Sequence, residues 1–255
     1  MRLVRYQAKK ENIHYGWVSN DRVGRIDGSP FGEFQRLEAS LPMDAVQLHS
    51  PVLPGKIVCV GRNYTEHIKE HNAETPVAPL IFLKPPSAVI GQHQPILLPP
   101  QSQQVEHEAE LVAVIGKRGH WIQPAEAAAY IFGYTIGNDV TARDLQNRDG
   151  QWTRAKGFDT FCPLGPWVET EFSPIDAMIT CHVNGELRQM ASTKDMLLHV
   201  DQIIAYISSV MTLEPGDVIF TGTPAGVSPL HPGDVVEVSI DGLGKLRNPV
   251  EIEPR

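Results

Sequence analysis

Residues 105–117 read VEHEAELVAVIGK, and their pattern predicts a strand. Side chains two apart lie on one face of a strand, so Glu106, Glu108 and Glu110 point the same way. After Glu110 both faces are apolar, and we therefore expect the strand to run into a buried layer. Carboxylates at the mouth of such a strand repel one another unless a cation neutralises them.

A second acidic residue follows in residues 137–144, GNDVTARD. Asp139 ends an apolar strand and could bring a third carboxylate from a neighbouring strand. Oxygen ligands of this kind suit hard divalent ions such as Mg²⁺, Mn²⁺ or Ca²⁺. The alternatives are a solvated edge strand for the glutamates and a turn or helix cap for Asp139. Spacing alone leaves both interpretations open.

The segment GRNYTEHIKE, residues 61–70, follows the predicted strand KIVCV. If a helix begins near Tyr64, His67 and Glu70 lie three apart on one face and can form a hydrogen bond. A histidine oriented by a carboxylate is a common general base for activating water. An ordinary pair on a surface helix is the alternative. Lys84 and Lys156 could each hold an anionic substrate or be surface lysines.

The rest of the chain predicts many short strands and few helices. Residues 1–50 form a small β-rich unit, and the prolines and glycine of residues 50–55 separate it from a larger domain over 51–255. Residues 178–189 predict a hairpin with an Asn-Gly turn. Residues 199–211 have the clearest helical spacing of apolar residues and predict a helix. Regular β–α alternation is absent, so the pattern favours a β-rich α+β fold.

Composition excludes several functional classes. The 255 residues carry a net charge of −8 and no basic run, which argues against nucleic-acid binding. Three Cys argue against a disulfide framework, and the apolar runs are too short to span a membrane. The TGTPAG turn lacks the Gly-Lys-Ser/Thr ending of a phosphate loop. We expect a soluble cytoplasmic protein.

Six motifs occur in order: VGRNYTEHIKEH, FLKPPSAVIG, VEHEAELVAVIGK, GYTIGNDVTARDLQ, KGFDTFCPLGP and GDVIFTGTPAGV. Together they resemble the fumarylacetoacetate hydrolase family, in its short bacterial, acylpyruvate-hydrolase-like branch. The resemblance covers about residues 50–250, and residues 1–50 look like the small variable N-terminal domain of that branch.

The resemblance implies a mixed β-sandwich roll with a few short helices, assembled as a homodimer. It implies Mg²⁺ or Mn²⁺, with Glu106 outside the ligand set. It also implies a lid helix that carries a His–Glu pair. The residues that it assigns are Glu108, Glu110 and Asp139 to the metal, His67, Glu70 and Lys156 to catalysis, and Gln146 and Thr223 to substrate contacts.

The leading functional hypothesis is a metal-dependent hydrolase that cleaves a C–C bond in a small 2,4-dioxo acid of the acylpyruvate or fumarylpyruvate type. A pyruvate enolate stabilised by the metal would be its intermediate. The alternatives are an isomerase or decarboxylase of 2-hydroxymuconate or 2-oxo-heptenedioate compounds in aromatic catabolism, or an oxaloacetate decarboxylase. A metal-binding homologue without turnover is a further alternative.

Overall fold

The computed structural model describes residues 1–9 and 11–254. Its strands are β1 (Arg2–Ala8), β2 (His14–Ser19), β3 (Arg22–Gly28), β4 (Phe34–Pro42), β5 (Val46–His49), β6 (Ile57–Gly61), β7 (Leu80–Lys84), β8 (Val89–Ile90), β9 (Ile96–Leu98), β10 (Val105–Glu106), β11 (Ala109–Ile115), β12 (Ile131–Asn138), β13 (Thr141–Ala142), β14 (Cys162–Glu169), β15 (Met178–Val183), β16 (Glu186–Ser192), β17 (Val218–Phe220), β18 (Val235–Ile240) and β19 (Gly244–Ile252). The α-helices are α1 (Thr65–Glu70), α2 (Arg143–Asp149), α3 (Thr153–Lys156) and α4 (Val200–Val210), and 3₁₀ helices cover Met43–Ala45, Pro86–Ala88, Pro124–Tyr130 and Thr193–Asp195.

Most strands belong to one large sheet in the order β4-β3-β2-β1-β14-β12-β11-β17-β6-β7, with β5 beside β1 and β8 beside β14. A second sheet has the order β16-β15-β18-β19-β9, and β10 pairs with β13. Most neighbours are antiparallel, but three pairs run parallel: β17 with β6, β19 with β9, and β14 with β8. The predicted β-rich α+β fold with mixed sheets is therefore confirmed.

Strand β11 lies in the middle of the large sheet and is buried on both faces. Leu111, Ala113 and Ile115 belong to the main core, which also includes side chains of the second sheet and α4. Val112 and Val114 point the other way, into a separate apolar cluster. The expected continuation of the acidic strand into a buried layer is confirmed, because apolar side chains alternate between two cores.

Two local predictions are also confirmed. Strands β15 and β16 form the hairpin, and Asn184 and Gly185 have φ values of 54° and 83° at its turn. Positive φ at both positions is the type I′ geometry that Asn-Gly favours. Helix α4 occupies the predicted segment and buries Ile203, Ile204 and Ile207.

The strands of residues 2–49 continue the large sheet. β1 pairs with β2 on one side and with β14 and β5 on the other. The first strands of the chain therefore share hydrogen bonds with the sheet that contains β11. Across the described residues, no helix is both long and apolar enough to cross a membrane.

One glycine allows a phenylalanine ring to pack closely against β12, next to the acidic residues of β11. Gly137 of β12 lies opposite Glu110 of β11 in the antiparallel register. A side chain at Gly137 would collide with the Phe220 ring and come within 2.6 Å of Val112 Cγ2. The missing Cβ thus lets Phe220 pack directly over the backbone of β12.

Candidate active site

The end of β12 and the start of β11 place three carboxylates together. The Asp139 N–H donates to the Glu108 carbonyl at 2.8 Å, and the Glu108 N–H donates to Asn138 Oδ1 at 2.9 Å. Ligand atoms of Glu108, Glu110 and Asp139 all lie within 4.8 Å of one another, and all three residues are buried. We call these three residues the acidic cluster. The sequence alone did not decide whether these three carboxylates lie together, and in the fold they do.

Two lysines neutralise part of the acidic cluster. Lys156 Nζ, from α3, lies 2.8 Å from Glu108 Oε2 and 2.7 Å from Asp139 Oδ2. Lys84 Nζ, at the end of β7, lies 2.6 Å from Asp139 Oδ1. Both lysines are buried, so neither is a surface residue. Burial opposes the charge of Lys156, but Asp139 and Glu108 raise its pKa overall.

Arg143, at the start of α2, supplies a third buried cation. Its Nε lies 2.7 Å from Glu106 Oε2, its Nη2 pairs with Glu108, and its Nη1 donates to Gln146 Oε1 at 2.5 Å. Burial alone would raise the pKa of Glu108, but Lys156 and Arg143 hold it well below its usual range. Glu106 thus pairs with Arg143 and lies outside the acidic cluster.

Glu110 is the carboxylate left without a cation. Its Oε2 accepts the Gly222 N–H at 2.6 Å, and within residues 1–9 and 11–254 it has no ion-pair partner. Burial and the neighbouring Asp139 and Glu108 carboxylates raise its pKa well above the usual value. A buried carboxylate of this kind is costly unless a cation approaches it. The oxygen-only acidic cluster therefore suits a hard divalent ion.

The predicted helix near Tyr64 is α1, and it carries the His–Glu pair, His67 and Glu70. His67 Nδ1 lies 3.2 Å from Glu70 Oε2, and Glu70 Oε1 accepts the Gly226 N–H at 3.0 Å. Gly226 has φ of 102° and lies against the Arg188 carbonyl, a position where a side chain would not fit. Burial lowers the pKa of His67 below its ordinary value, although the neighbouring Glu108 carboxylate and the bond to Glu70 oppose this shift. The imidazole is therefore neutral at pH 7.

His71 lies beside His67 and was not singled out from the sequence. The two rings are 4.6 Å apart between centroids and meet edge to face. With Glu70 they form a second group whose ligand atoms lie within 4.8 Å. The spacing of four residues on one helix was the available signal.

One cavity of about 420 Å³ joins these groups. Seven of the eight residues assigned from the resemblance line it, and they are His67, Glu108, Glu110, Asp139, Gln146, Lys156 and Thr223. Glu70 lies behind His67. Phe82 and Trp152 supply an apolar wall, while Arg62 and Arg143 add positive charge. The cavity suits a small anionic ligand with one apolar side.

Buried carboxylates and a histidine bonded to a glutamate line one small polar cavity of a mixed β fold, an arrangement typical of enzyme active sites. Comparison with known families is specific. The model of the fumarylacetoacetate (FAA) hydrolase C-terminal family matches residues 56–251, and that of the Rv2993c-like N-terminal family matches residues 1–51. The chain belongs to the fumarylacetoacetate hydrolase family.

Its relatives carry several activities. Oxaloacetate tautomerase FAHD2B, mitochondrial, of Bos taurus is 45% identical over 98% of this chain and 91% of the relative. The structure of 5-carboxymethyl-2-hydroxymuconate delta-isomerase from Mycobacterium smegmatis has a TM-score of 0.92 at 44% identity and covers 99% of this chain and 100% of that one. Maleylpyruvate hydrolase from Sphingobium sp. SYK-6, in complex with manganese(II) and pyruvate, has a TM-score of 0.82 at 30% identity, with both chains fully covered.

Proposed function

We propose that this protein is a divalent-metal-dependent enzyme that hydrolyses a C–C bond in a small 2,4-dioxo acid, such as an acylpyruvate. The observation that carries the proposal is the cavity that contains both the acidic cluster and His67, with Glu70 bonded behind the imidazole. A metal-binding group and an oriented base on one cavity are what metal-assisted hydrolysis requires. The relative named as a maleylpyruvate hydrolase supports this reaction class.

The acidic cluster would hold Mg²⁺ or Mn²⁺. Glu108 and Asp139 already have lysine partners, so the ion's main electrostatic contribution would be to neutralise Glu110. When bound, the ion supplies a Lewis acid that stabilises negative charge developing on substrate oxygen. Manganese(II) in the structure of one relative supports this assignment.

The His–Glu pair would handle the proton. The Nδ1–H of His67 donates to Glu70, which leaves Nε2 as the basic atom. In the proposed reaction Nε2 removes a proton from water, and the hydroxide adds to the carbonyl carbon farther from the carboxylate. The C–C bond then breaks, its electron pair goes to the pyruvate half, and that half takes up a proton. The products are a carboxylic acid and pyruvate.

Polar side chains of the cavity would orient the acid. The Lys156 ammonium carries positive charge into the site beside Glu108 and Asp139. Gln146 Oε1 accepts from Arg143, so the free amide hydrogens of Gln146 can donate to substrate oxygen. These contacts supply positioning, which lowers the entropic cost of the reaction.

A second candidate function is isomerisation of a 2-oxo acid or its enol. It is favoured by the relatives named as oxaloacetate tautomerase and 5-carboxymethyl-2-hydroxymuconate delta-isomerase, at 45% and 44% identity. In that reaction His67 would move a proton between carbon and oxygen, and no water would add. Decarboxylation of oxaloacetate would use the same cavity without the nucleophilic water.

The test measures pyruvate, carboxylic acid and CO₂ from acetylpyruvate and from oxaloacetate, each with Mg²⁺ and with EDTA. Metal-dependent release of acetate and pyruvate in equal amounts is the result expected for the hydrolase. Loss of the enol absorption without any pyruvate would instead establish the isomerase. Pyruvate and CO₂ from oxaloacetate alone would establish a decarboxylase.

A matched pair of variants tests the assigned base. His67→Ala should lower kcat by roughly 10²- to 10⁴-fold, the usual contribution of a general base. His231→Ala is the control, because His231 also faces an acid three residues on, Asp234, but lies exposed in a turn. Equal activity in both variants would remove His67 from the mechanism.

The assembly is also a proposal. We propose a homodimer in which residues 1–50 form a small N-terminal domain and residues 51–255 the catalytic domain. The two family matches, to residues 1–51 and 56–251, support this division. Light scattering of the purified protein measures its mass, and a monomer at micromolar concentration would contradict the dimer.

A further inference from the structure

The segment HIKEH, residues 67–71, carries three side chains that can bind a metal ion. His67, Glu70 and His71 offer ligand atoms that all lie within 4.8 Å of one another. The two imidazole rings are 4.6 Å apart between centroids, and His67 Nδ1 lies 3.2 Å from Glu70 Oε2. Histidines four residues apart lie on one face of a helix, and the order His-x-x-Glu-His is a pattern found on zinc-binding helices. We call these three residues the α1 triad.

The separations within the α1 triad are close to those around a bound ion. Zinc binds nitrogen and oxygen at about 2.0–2.2 Å, so the ligand atoms of a tetrahedral site lie about 3.4 Å apart. His67 Nδ1 and Glu70 Oε2 are already this close, and the widest separation in the triad has to shrink by at most about 1.4 Å. His71 follows the last residue of α1 and is exposed, so its side chain has room to make that movement.

The α1 triad and the acidic cluster favour different ions. Two imidazoles and one carboxylate suit ions of intermediate softness such as Zn²⁺, whereas ligands that are all oxygen suit Mg²⁺ and Mn²⁺. The neighbouring Glu106 and Glu108 carboxylates favour a cation at His71, while Arg143 opposes one. His67 and His71 line the same cavity as the acidic cluster. One cavity therefore offers two metal-binding groups of different chemistry.

We propose that the α1 triad binds Zn²⁺ and that the bound ion switches the enzyme off by occupying the imidazole of His67. The inhibition rests on the proposed function, in which His67 is the base. A neutral imidazole has one N–H and one basic nitrogen. An ion on Nε2 occupies the basic nitrogen directly, and an ion on Nδ1 leaves the ring hydrogen on Nε2. In either case the ring has no lone pair left to take a proton from water.

The first measurement is the affinity for Zn²⁺, from competition with a chromogenic chelator in excess Mg²⁺. The parent protein carries E110Q, which weakens the acidic cluster as a competing site. Adding H71A should weaken Zn²⁺ binding by about 10-fold or more, since even the loss of a residue that only orients a metal ligand costs roughly 10- to 100-fold. Adding H231A is the matched control, because His231 faces Asp234 in an exposed turn, and it should leave the affinity unchanged. Equal affinity in H71A and its parent would overturn the site.

The second measurement is hydrolysis of acetylpyruvate at saturating Mg²⁺ and rising Zn²⁺, with the acidic cluster intact. Each variant is compared with its own rate without Zn²⁺. The Zn²⁺ concentration that halves this rate should rise by about 10-fold or more in H71A and stay unchanged in H231A. Equal inhibition of H71A and the parent would overturn the switch, because the ion would then act from another site. Zn²⁺ binding that depends on His71, in a protein that releases no pyruvate with Mg²⁺, would refute the proposed function and leave the metal site standing.

Discussion

Replacing Arg143 by methionine tests how the buried charges hold the site together. The guanidinium pairs with Glu106 and Glu108 and also donates to Gln146. Methionine fills similar volume without charge, so both carboxylates would lose this partner. Glu108 would keep Lys156, whereas Glu106 would keep, among residues 1–9 and 11–254, only the Gln104 amide at 2.6 Å.

The expected loss of stability follows from burial. Removing one partner of a buried ion pair costs about 3–5 kcal/mol, because the remaining charge stays in a poorly solvated site. For a chain of this size each kcal/mol corresponds to about 2–4 °C in the unfolding midpoint. We therefore expect the midpoint of Arg143→Met to fall by about 6–20 °C.

The assay is urea and thermal unfolding without divalent ions, followed by circular dichroism. Arg154→Met is the matched control, since Arg154 makes a comparable two-point contact with Asp149 at 2.8 and 2.5 Å but is exposed. Exposed ion pairs contribute little, so this control should unfold close to the parent protein.

Two results would refute the reasoning. Equal losses in Arg143→Met and Arg154→Met would show that burial does not set the strength of these pairs. A second comparison adds Glu106→Gln to Arg143→Met, which removes the less compensated of the two charges. This double variant should recover part of the lost stability, and failure to recover any would place the cost elsewhere.

Three further predictions concern the metal, the base and the sheet. Mg²⁺ at 100 times its Kd should stabilise the protein by about 2.7 kcal/mol, and Glu110→Gln should abolish that gain in a thermal shift assay while the protein remains folded. Burial lowers the pKa of His67, so its basic form persists below pH 6.5. With saturating Mg²⁺, kcat/KM should therefore begin to fall only below pH 6.5. A fall that begins above that value would contradict the assignment of His67 as the base. Gly137→Ala should destabilise the protein by about 1–3 kcal/mol in urea, since the added methyl collides with Phe220, and an unchanged midpoint would contradict the close packing of β12.

Local patterns predicted the parts of the fold whose partners lie nearby in the chain. The apolar residues after Glu110 predicted a strand buried on both faces, although the structure divides residues 105–117 into β10 and β11 with a break at 107–108. The Asn-Gly pair at 184–185 predicted the β15–β16 hairpin. Residues 124–131, PAEAAAYI, have a helical pattern, and the structure forms a 3₁₀ helix there, Pro124–Tyr130, so the pattern predicts the position of the helix but not its type. Short apolar repeats do not distinguish the two helix types.

The cationic side of the site could not be predicted, because its partners are far apart in sequence. Lys84 lies 55 residues from Asp139, and Arg143 lies 35 residues from Glu108. A lysine at the end of an apolar strand can be buried or exposed. Lys84 is buried because β7 pairs with β6, which lies beside β17 in the large sheet.

The acidic cluster and the His–Glu pair are carried by separate pieces of the chain. The carboxylates and their cations come from the sheet, α2 and α3, whereas His67 and Glu70 come from the six-residue helix α1, joined to the TGTPAG turn through Gly226. Under the proposed function, substitutions in α1 would change the group that transfers the proton and would leave the carboxylates and their cations in place. Under the proposed function, a change of reaction type would require rebuilding about two turns of helix rather than a new scaffold.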